Sequence, residues 1–205
     1  MSVGKSIPRV DAYDKAAGRA KYTADLCPPR TLVARVKHAE TGNGVVKSID
    51  VSKARAVDGV TAVFTCFDVP NRPFPTAGHP WSLDPGHQDV ADRLLLTSRV
   101  RYYGDDIAVV VADNETAAGQ SLLLIEVENE AYPLILDVDE AMAEGASQLH
   151  DAYPRNILAH TQIYRGDYQK AIQEPGLIKV EGWYETPTVQ HCHIENHICT
   201  AKMEG

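Results

Sequence analysis

The run Ile107-Ala108-Val109-Val110-Val111-Ala112 constrains this chain most. It is apolar at every position, so as a strand it carries apolar side chains on both faces and must be covered on both, which puts it in the middle of a sheet. Asp113 or Asn114 follows as a helix N-cap. Ala117, Ser121 and Leu124, with Ala118, Leu122 and Ile125, then recur at helical spacing and predict a helix through Leu124. Glu126 to Glu130 leaves that helix as a strand. A strand–helix–strand unit is therefore the frame around which the rest is placed.

Upstream, Leu32, Ala34 and Val36 alternate with Val33, Arg35 and Lys37, which suits a half-buried strand. Gly42-Asn43-Gly44 predicts a turn, and Val45 to Val51 a second strand. Ser52 caps a short helix, SKARAV, that Gly59 ends, and β-branched and aromatic residues return the chain to a strand over Val60 to Phe64. Residues 68–92 carry five prolines, which serves neither helix nor sheet; a loop this long is functional, an interface or disordered, and its Phe74 and Trp81 favour docking. A short helix is expected from Asp139 to Glu144. Ile178, Val180, Gly182 and Tyr184 alternate with Lys179, Glu181, Trp183 and Glu185 and predict another strand, and Ile194 to Met203 is strand-like. No partner for that last run follows it, so a truncated domain is expected there. The composition shifts at 137–175, which reads as a domain boundary. The fold class is α+β.

Charge narrows the functional classes. Lys and Arg number 20 against 28 Asp and Glu, a formal net charge of −8 with no basic block to offset it. Such a surface repels phosphate backbones and anionic lipid, so nucleic-acid and membrane roles are excluded. The sequence opens MSVGKSIPRV without an apolar leader and has no run long enough to span a bilayer, so a cytoplasmic protein is expected. Cys27, Cys66, Cys192 and Cys199 form no CxxC pair and are expected to be reduced, mostly buried thiols.

The candidate chemistry is sparse. Gly4-Lys5-Ser6 lacks the earlier glycine, the preceding strand and the following helix of a phosphate loop, and no GxGxxG or GxSxG occurs. Gly104-Asp105-Asp106 is either a carboxylate pair for acid–base work or a turn into the buried strand, and the turn is favoured. His191 to Cys199 is the densest cluster. As a strand it puts His191, His193, Glu195, His197 and Cys199 on one face; as a helix it puts His193 and His197 one turn apart. Either could bind zinc, but the order is not HExxH, and a polar strand beside a pocket is the simpler reading. The histidines at 38, 79, 87, 150 and 160 are scattered, with nothing tying them to one site.

Three stretches resemble the molybdenum-binding subunits of the xanthine dehydrogenase and aldehyde oxidase family. Arg9-Val10-Asp11 with Gly18-Arg19-Ala20-Lys21-Tyr22-Thr23-Ala24-Asp25 is similar to the family's opening. Tyr103-Gly104 with Ile107 to Ala112, the helical Ala117 and Ala118, and Ile125-Glu126-Val127-Glu128 resembles its strand–helix–strand unit; Asn129 stands where the family often has tyrosine and Tyr132 where it has leucine. Val180 to Glu195 resembles a family strand ending in Gln-x-His-x-x-x-Glu, through Gln190, His191 and Glu195.

The resemblance implies the N-terminal part of such a subunit: an arm over 1–16, an α/β hammerhead domain over 17–136, a connector over 137–175, and the truncated beginning of a molybdopterin-binding domain over 176–205. It implies purine hydroxylation, hypoxanthine or xanthine to urate, in the complete assembly. Molybdenum–molybdopterin would belong to the whole subunit, with [2Fe–2S] clusters and FAD on an iron–sulfur subunit and a FAD-binding subunit, and electrons passing on to NAD. The family's Gly-Gly-Gly-Phe-Gly loop does not occur here, and its catalytic glutamate lies far toward the C-terminus of the full subunit. No catalytic or metal-binding residue is therefore carried over, and Gln190, His191 and Glu195 remain candidates for lining the cofactor domain. On this reading the chain alone is a non-catalytic scaffold. Other readings are a stand-alone structural or metal-binding protein using residues 191–199, or part of an aldehyde- or heteroaromatic-oxidising relative.

Overall fold

The computed structural model describes residues 3–75, 90–158, 160 and 162–204. Contacts divide the chain into two compact units, one of Leu32–Tyr168 and one combining Met1–Thr31, which carries helix α1 at Ala12–Ala16, with Gln169–Gly205.

In the larger unit the apolar hexapeptide becomes β5, Asp106–Ala112, the middle strand of an antiparallel three-stranded sheet. Its neighbours are β1, Val33–His38, and β3, Val60–Thr65. Asn114 is the N-cap of α3, Glu115–Leu123, and its side chain accepts the Ala117 N–H at 2.9 Å. Ala117, Ala118 and Ser121 turn inward from α3, and the Ser121 hydroxyl, fully buried, donates to the Ala54 carbonyl at 3.0 Å. With α2, Ser52–Arg55, this helix covers one face of the sheet over Val63, Ala108, Val110 and Ala112.

A second sheet runs in the order β4-β2-β6, from Arg99–Val100, Gly44–Asp50 and Glu126–Ala131. Its core is Ala39, Val46, Val100 and Ile107, and Ile49 and Val127 pack against both cores. Gly44 is required by close approach, because a Cβ there would clash with the Glu130 carbonyl oxygen.

Several expectations are corrected. The strands predicted over 178–185 and 194–203 do not form, since no ladder partner lies alongside them among the described residues, and Ile178, Val180, Trp183 and Tyr184 are all exposed. β1 does not half-bury Leu32, Ala34 and Val36; all three are exposed. Ser52 does not cap α2: Val51 holds that position, and the Asp50 carboxylate accepts the Ser52 N–H at 2.9 Å. The thiols are free, but only Cys27 and Cys66 are partly covered, while Cys192 and Cys199 are exposed. The short helix after Asp137 is α4, Val138–Met142, one residue earlier than predicted at its start. The two-residue β4 has no forecast in the sequence. Of the proline-rich segment, Phe74 forms an isolated bridge with Arg93. Trp81, His79 and His87 lie outside the described residues.

Candidate functional site

The larger unit has a cleft of about 320 Å³ where the turn from β4 to β5 meets residues 149–150. The turn is made by Gly104, whose φ of +109° suits glycine and whose N–H donates to the Ala39 carbonyl. The Asp105 carboxylate closes it by accepting the Arg101 N–H at 2.7 Å. The Gly104-Asp105-Asp106 sequence is thus a turn into β5. Burial pushes the Asp105 carboxyl above its ordinary value, against the two backbone amides that favour its charge.

Asp92 and Asp106 each face an arginine and a histidine. Asp92 Oδ2 lies 3.0 Å from Arg101 Nη2 and 2.8 Å from His150 Nδ1. Asp106 lies 3.0 Å from His38 Nδ1 and 3.8 Å from Arg93 Nη2. The structure therefore brings His38 and His150, far apart in sequence, to carboxylates of the same cleft. Arg101 Nε also donates to the Leu149 carbonyl at 2.7 Å. Burial holds the Tyr102 proton more tightly than usual. Thr97 donates its hydroxyl to the Arg99 carbonyl at 3.0 Å. The cleft fastens chain segments together through ion pairs.

Arg99 is the hub of the adjoining network. Its guanidinium donates to Asn43 Oδ1 at 2.7 Å, the Gly44 carbonyl at 3.1 Å and the Gln148 carbonyl at 3.2 Å, and lies 5.4 Å from the centre of the Tyr132 ring. Asn43, 1% exposed, donates in turn to the Pro133 carbonyl at 2.7 Å and to Ser147 Oγ at 3.1 Å. Asn156 adds bonds to the Ala141 and Ser147 carbonyls. Residues 133–156 are held to the second sheet by polar side chains, and α4 buries none of its residues. The sequence signal for this hub is the alternation Arg99-Val100-Arg101, with Val100 fully buried between two arginines.

The family-like opening has local structural roles. Asp11 pairs with Arg9 at 3.1 Å and with Lys15 at 2.7 Å, and these neighbours hold its carboxyl below the usual range, Lys15 foremost. The Tyr22 N–H donates to Asp25 at 3.0 Å and the Asp25 N–H to the Tyr22 carbonyl at 2.9 Å.

Gln190, His191 and Glu195 are all exposed, and the His191 N–H donates to Gln190 Oε1 at 2.7 Å. His193 and His197 stack with ring centres 4.8 Å apart, one on the other and not convergent on a point. Among the described residues no group of three or more His, Cys, Asp or Glu side chains could hold a metal ion. The described residues therefore offer no ligand set for an iron–sulfur cluster. Burial pushes the Cys66 thiol up to about 11, which keeps it protonated and unreactive.

The two three-stranded sheets and their helices make a mixed α+β unit. A family profile described as "Aldehyde oxidase and xanthine dehydrogenase, a/b hammerhead domain" matches residues 17–133, more than half of the chain. The chain belongs to that family. It is 40% identical over 196 residues to the xanthine dehydrogenase molybdenum-binding subunit of Escherichia coli O157:H7, a match covering 96% of this chain and 26% of that protein. It is 31% identical to the nicotinate dehydrogenase large molybdopterin subunit of Eubacterium barkeri, covering 94% of this chain and 42% of that one. Among solved structures, the aldehyde oxidoreductase of Desulfovibrio desulfuricans superposes with a TM-score of 0.64 at 32% identity, covering 74% of this chain and 17% of that one. The chain spans about a quarter of the length of the Escherichia coli relative. No helix among the described residues is long and apolar enough to cross a membrane.

Proposed function

We propose that this chain is the N-terminal framework of the molybdenum-binding subunit of a purine hydroxylase that converts hypoxanthine and xanthine to urate, and that it is non-catalytic alone. The observation that carries this reading is the 40% identity over 196 residues to a xanthine dehydrogenase molybdenum-binding subunit.

In this reading residues 1–16 are an arm, 17–136 the hammerhead domain, 137–175 a connector and 176–205 the beginning of the molybdopterin-binding domain. Gln190, His191 and Glu195 would line the cofactor domain once the rest of the subunit surrounds them. Molybdenum–molybdopterin belongs to that complete subunit, and [2Fe–2S] clusters and FAD to partner subunits of a cytoplasmic assembly. The exposure of Ile178, Val180, Trp183, Tyr184 and Ile194 supports this, because apolar side chains so placed gain free energy when a surface covers them.

The test is metal analysis and turnover. Chain purified from molybdate-fed cells is expected to hold only background molybdenum and to leave hypoxanthine unchanged. One molybdenum per chain, or hypoxanthine oxidation without a companion polypeptide, contradicts the proposal. A reconstituted assembly that prefers nicotinate or an aldehyde would move the substrate toward the relatives that carry those names.

A further inference from the structure

Asn43-Gly44 is the one Asn-Gly dipeptide in the sequence; the five other asparagines are each followed by a larger residue. Glycine has no side chain to shield its backbone nitrogen and lets the chain fold back on itself. An asparagine before it is therefore the one best placed to cyclise. The Gly44 nitrogen attacks Asn43 Cγ and an N–Cγ bond forms. The Cγ–Nδ2 bond breaks, and ammonia leaves with the proton of the attacking amide. Water then opens the cyclic imide at either carbonyl, giving aspartate or isoaspartate. Water is the only co-reactant, and nothing is oxidised or reduced.

The fold holds this reaction back. Asn43 is 1% exposed, and both ends of its carboxamide are engaged. Oδ1 accepts from Arg99 at 2.7 Å, while Nδ2 donates to the Pro133 carbonyl at 2.7 Å and to Ser147 Oγ at 3.1 Å. Cγ reaches the Gly44 nitrogen only when the carboxamide turns, which breaks these bonds. Pro133 and Ser147 belong to the segment 133–156, and Arg99 also grips that segment at the Gln148 carbonyl. No residue of 133–156 is buried. A segment held by polar bonds with little apolar burial opens at low cost.

We propose that Asn43 is a spontaneous deamidation site gated by residues 133–156. Each opening of the segment exposes Asn43 to cyclisation, and either product stops the segment from closing as before. Aspartate replaces the Nδ2 donor with an oxygen and sets it against the Pro133 carbonyl, two acceptors facing each other in a buried place. Isoaspartate adds a carbon to the backbone between residues 43 and 44. Gly44 there lies too close to the Glu130 carbonyl to admit even a Cβ, and the Tyr132 N–H donates to the Asn43 carbonyl at 2.9 Å. All of these groups lie within the larger unit.

The test incubates the 205-residue chain at mildly alkaline pH, native and in guanidinium chloride. Mass spectrometry follows the peptide holding Asn43 and the one holding Asn196, which is exposed and precedes histidine. In denaturant Asn43 is expected to convert faster than Asn196; in the native chain the order is expected to invert. Arg99→Ala is expected to speed native conversion of Asn43 roughly tenfold or more, and Ser147→Ala by a smaller factor, with rates in denaturant unchanged. Thermal melts establish folding, and Ser147→Ala carries the test if Arg99→Ala does not fold. Amide exchange over 133–156 is expected to be faster in the converted chain. Native conversion of Asn43 at its rate in denaturant would overturn the gate, as would native rates that neither substitution moves. Failure of Asn43 to convert in denaturant would overturn the site, and unchanged exchange after conversion would overturn the release of the segment.

Discussion

Residues 106–112 and residues 178–185 carry comparable strand signals, yet they end in opposite conditions. The first is a paired strand whose Ala108, Val110 and Ala112 are fully buried; the second has no strand pairing, with Val180 and Trp183 near 90% exposed. The difference is not β-propensity. β5 has β1 on one side and β3 on the other, and α3 to cover it, all supplied within about ninety residues. Residues 178–185 have no such neighbours among the described residues. A strand is a property of a ladder, because its N–H and C=O groups must be satisfied by another strand.

The sharpest way to break this comparison is to make one substitution in both regions. Val110→Asp sets a carboxylate where valine is 0% exposed and is expected to cost about 4 kcal/mol or more, enough to unfold the larger unit in a denaturant titration. Val180→Asp, at 89% exposed, is expected to change the midpoint by less than about 0.5 kcal/mol. Equal effects would contradict the contrast. Arg99→Ala comes next. It leaves buried Asn43 Oδ1 without the Arg99 donor and removes the bond to the Gln148 carbonyl, for an expected loss of about 2 kcal/mol with faster exchange around Gln148 than in β5. Asn114→Ala removes the cap of α3 and is expected to cost about 1 kcal/mol by chemical denaturation.

The smallest effect is in pH dependence. Burial raises the folded Asp105 carboxyl above its ordinary 3.8, so the folded state holds that proton longer than the unfolded chain does. The stability linked to it is present below 3.8 and is lost as pH rises through the higher folded value. Asp105→Asn keeps an oxygen acceptor for the Arg101 N–H and is expected to flatten the stability curve in that window. An unchanged curve would assign the slope to another group.

The larger unit was legible in the sequence where local signals and tertiary partners agreed. The hexapeptide Ile107–Ala112, the Asn114 cap and the turn at Gly104 are all where pattern and side-chain chemistry put them. The family also emerged from motifs whose residues form local bonds, such as Tyr22 with Asp25. The fastening network was not legible. Asp92, Arg101 and His150 meet only because the chain returns after β6, and a two-residue strand such as β4 is too short to show a period. The alternation of Leu32, Ala34 and Val36 predicts a half-buried strand. That pattern tells which side chains share a face, and not whether anything covers it.

Amide hydrogen exchange on the isolated chain tests the central contrast most directly. The account predicts that Val109, Val110 and Val111 exchange only with global unfolding of the larger unit, while residues 178–185 and 194–203 exchange at rates close to those of unstructured peptide. Protection of residues 178–185 as strong as that of β5 would show that they have found partners within this chain, and would contradict the account.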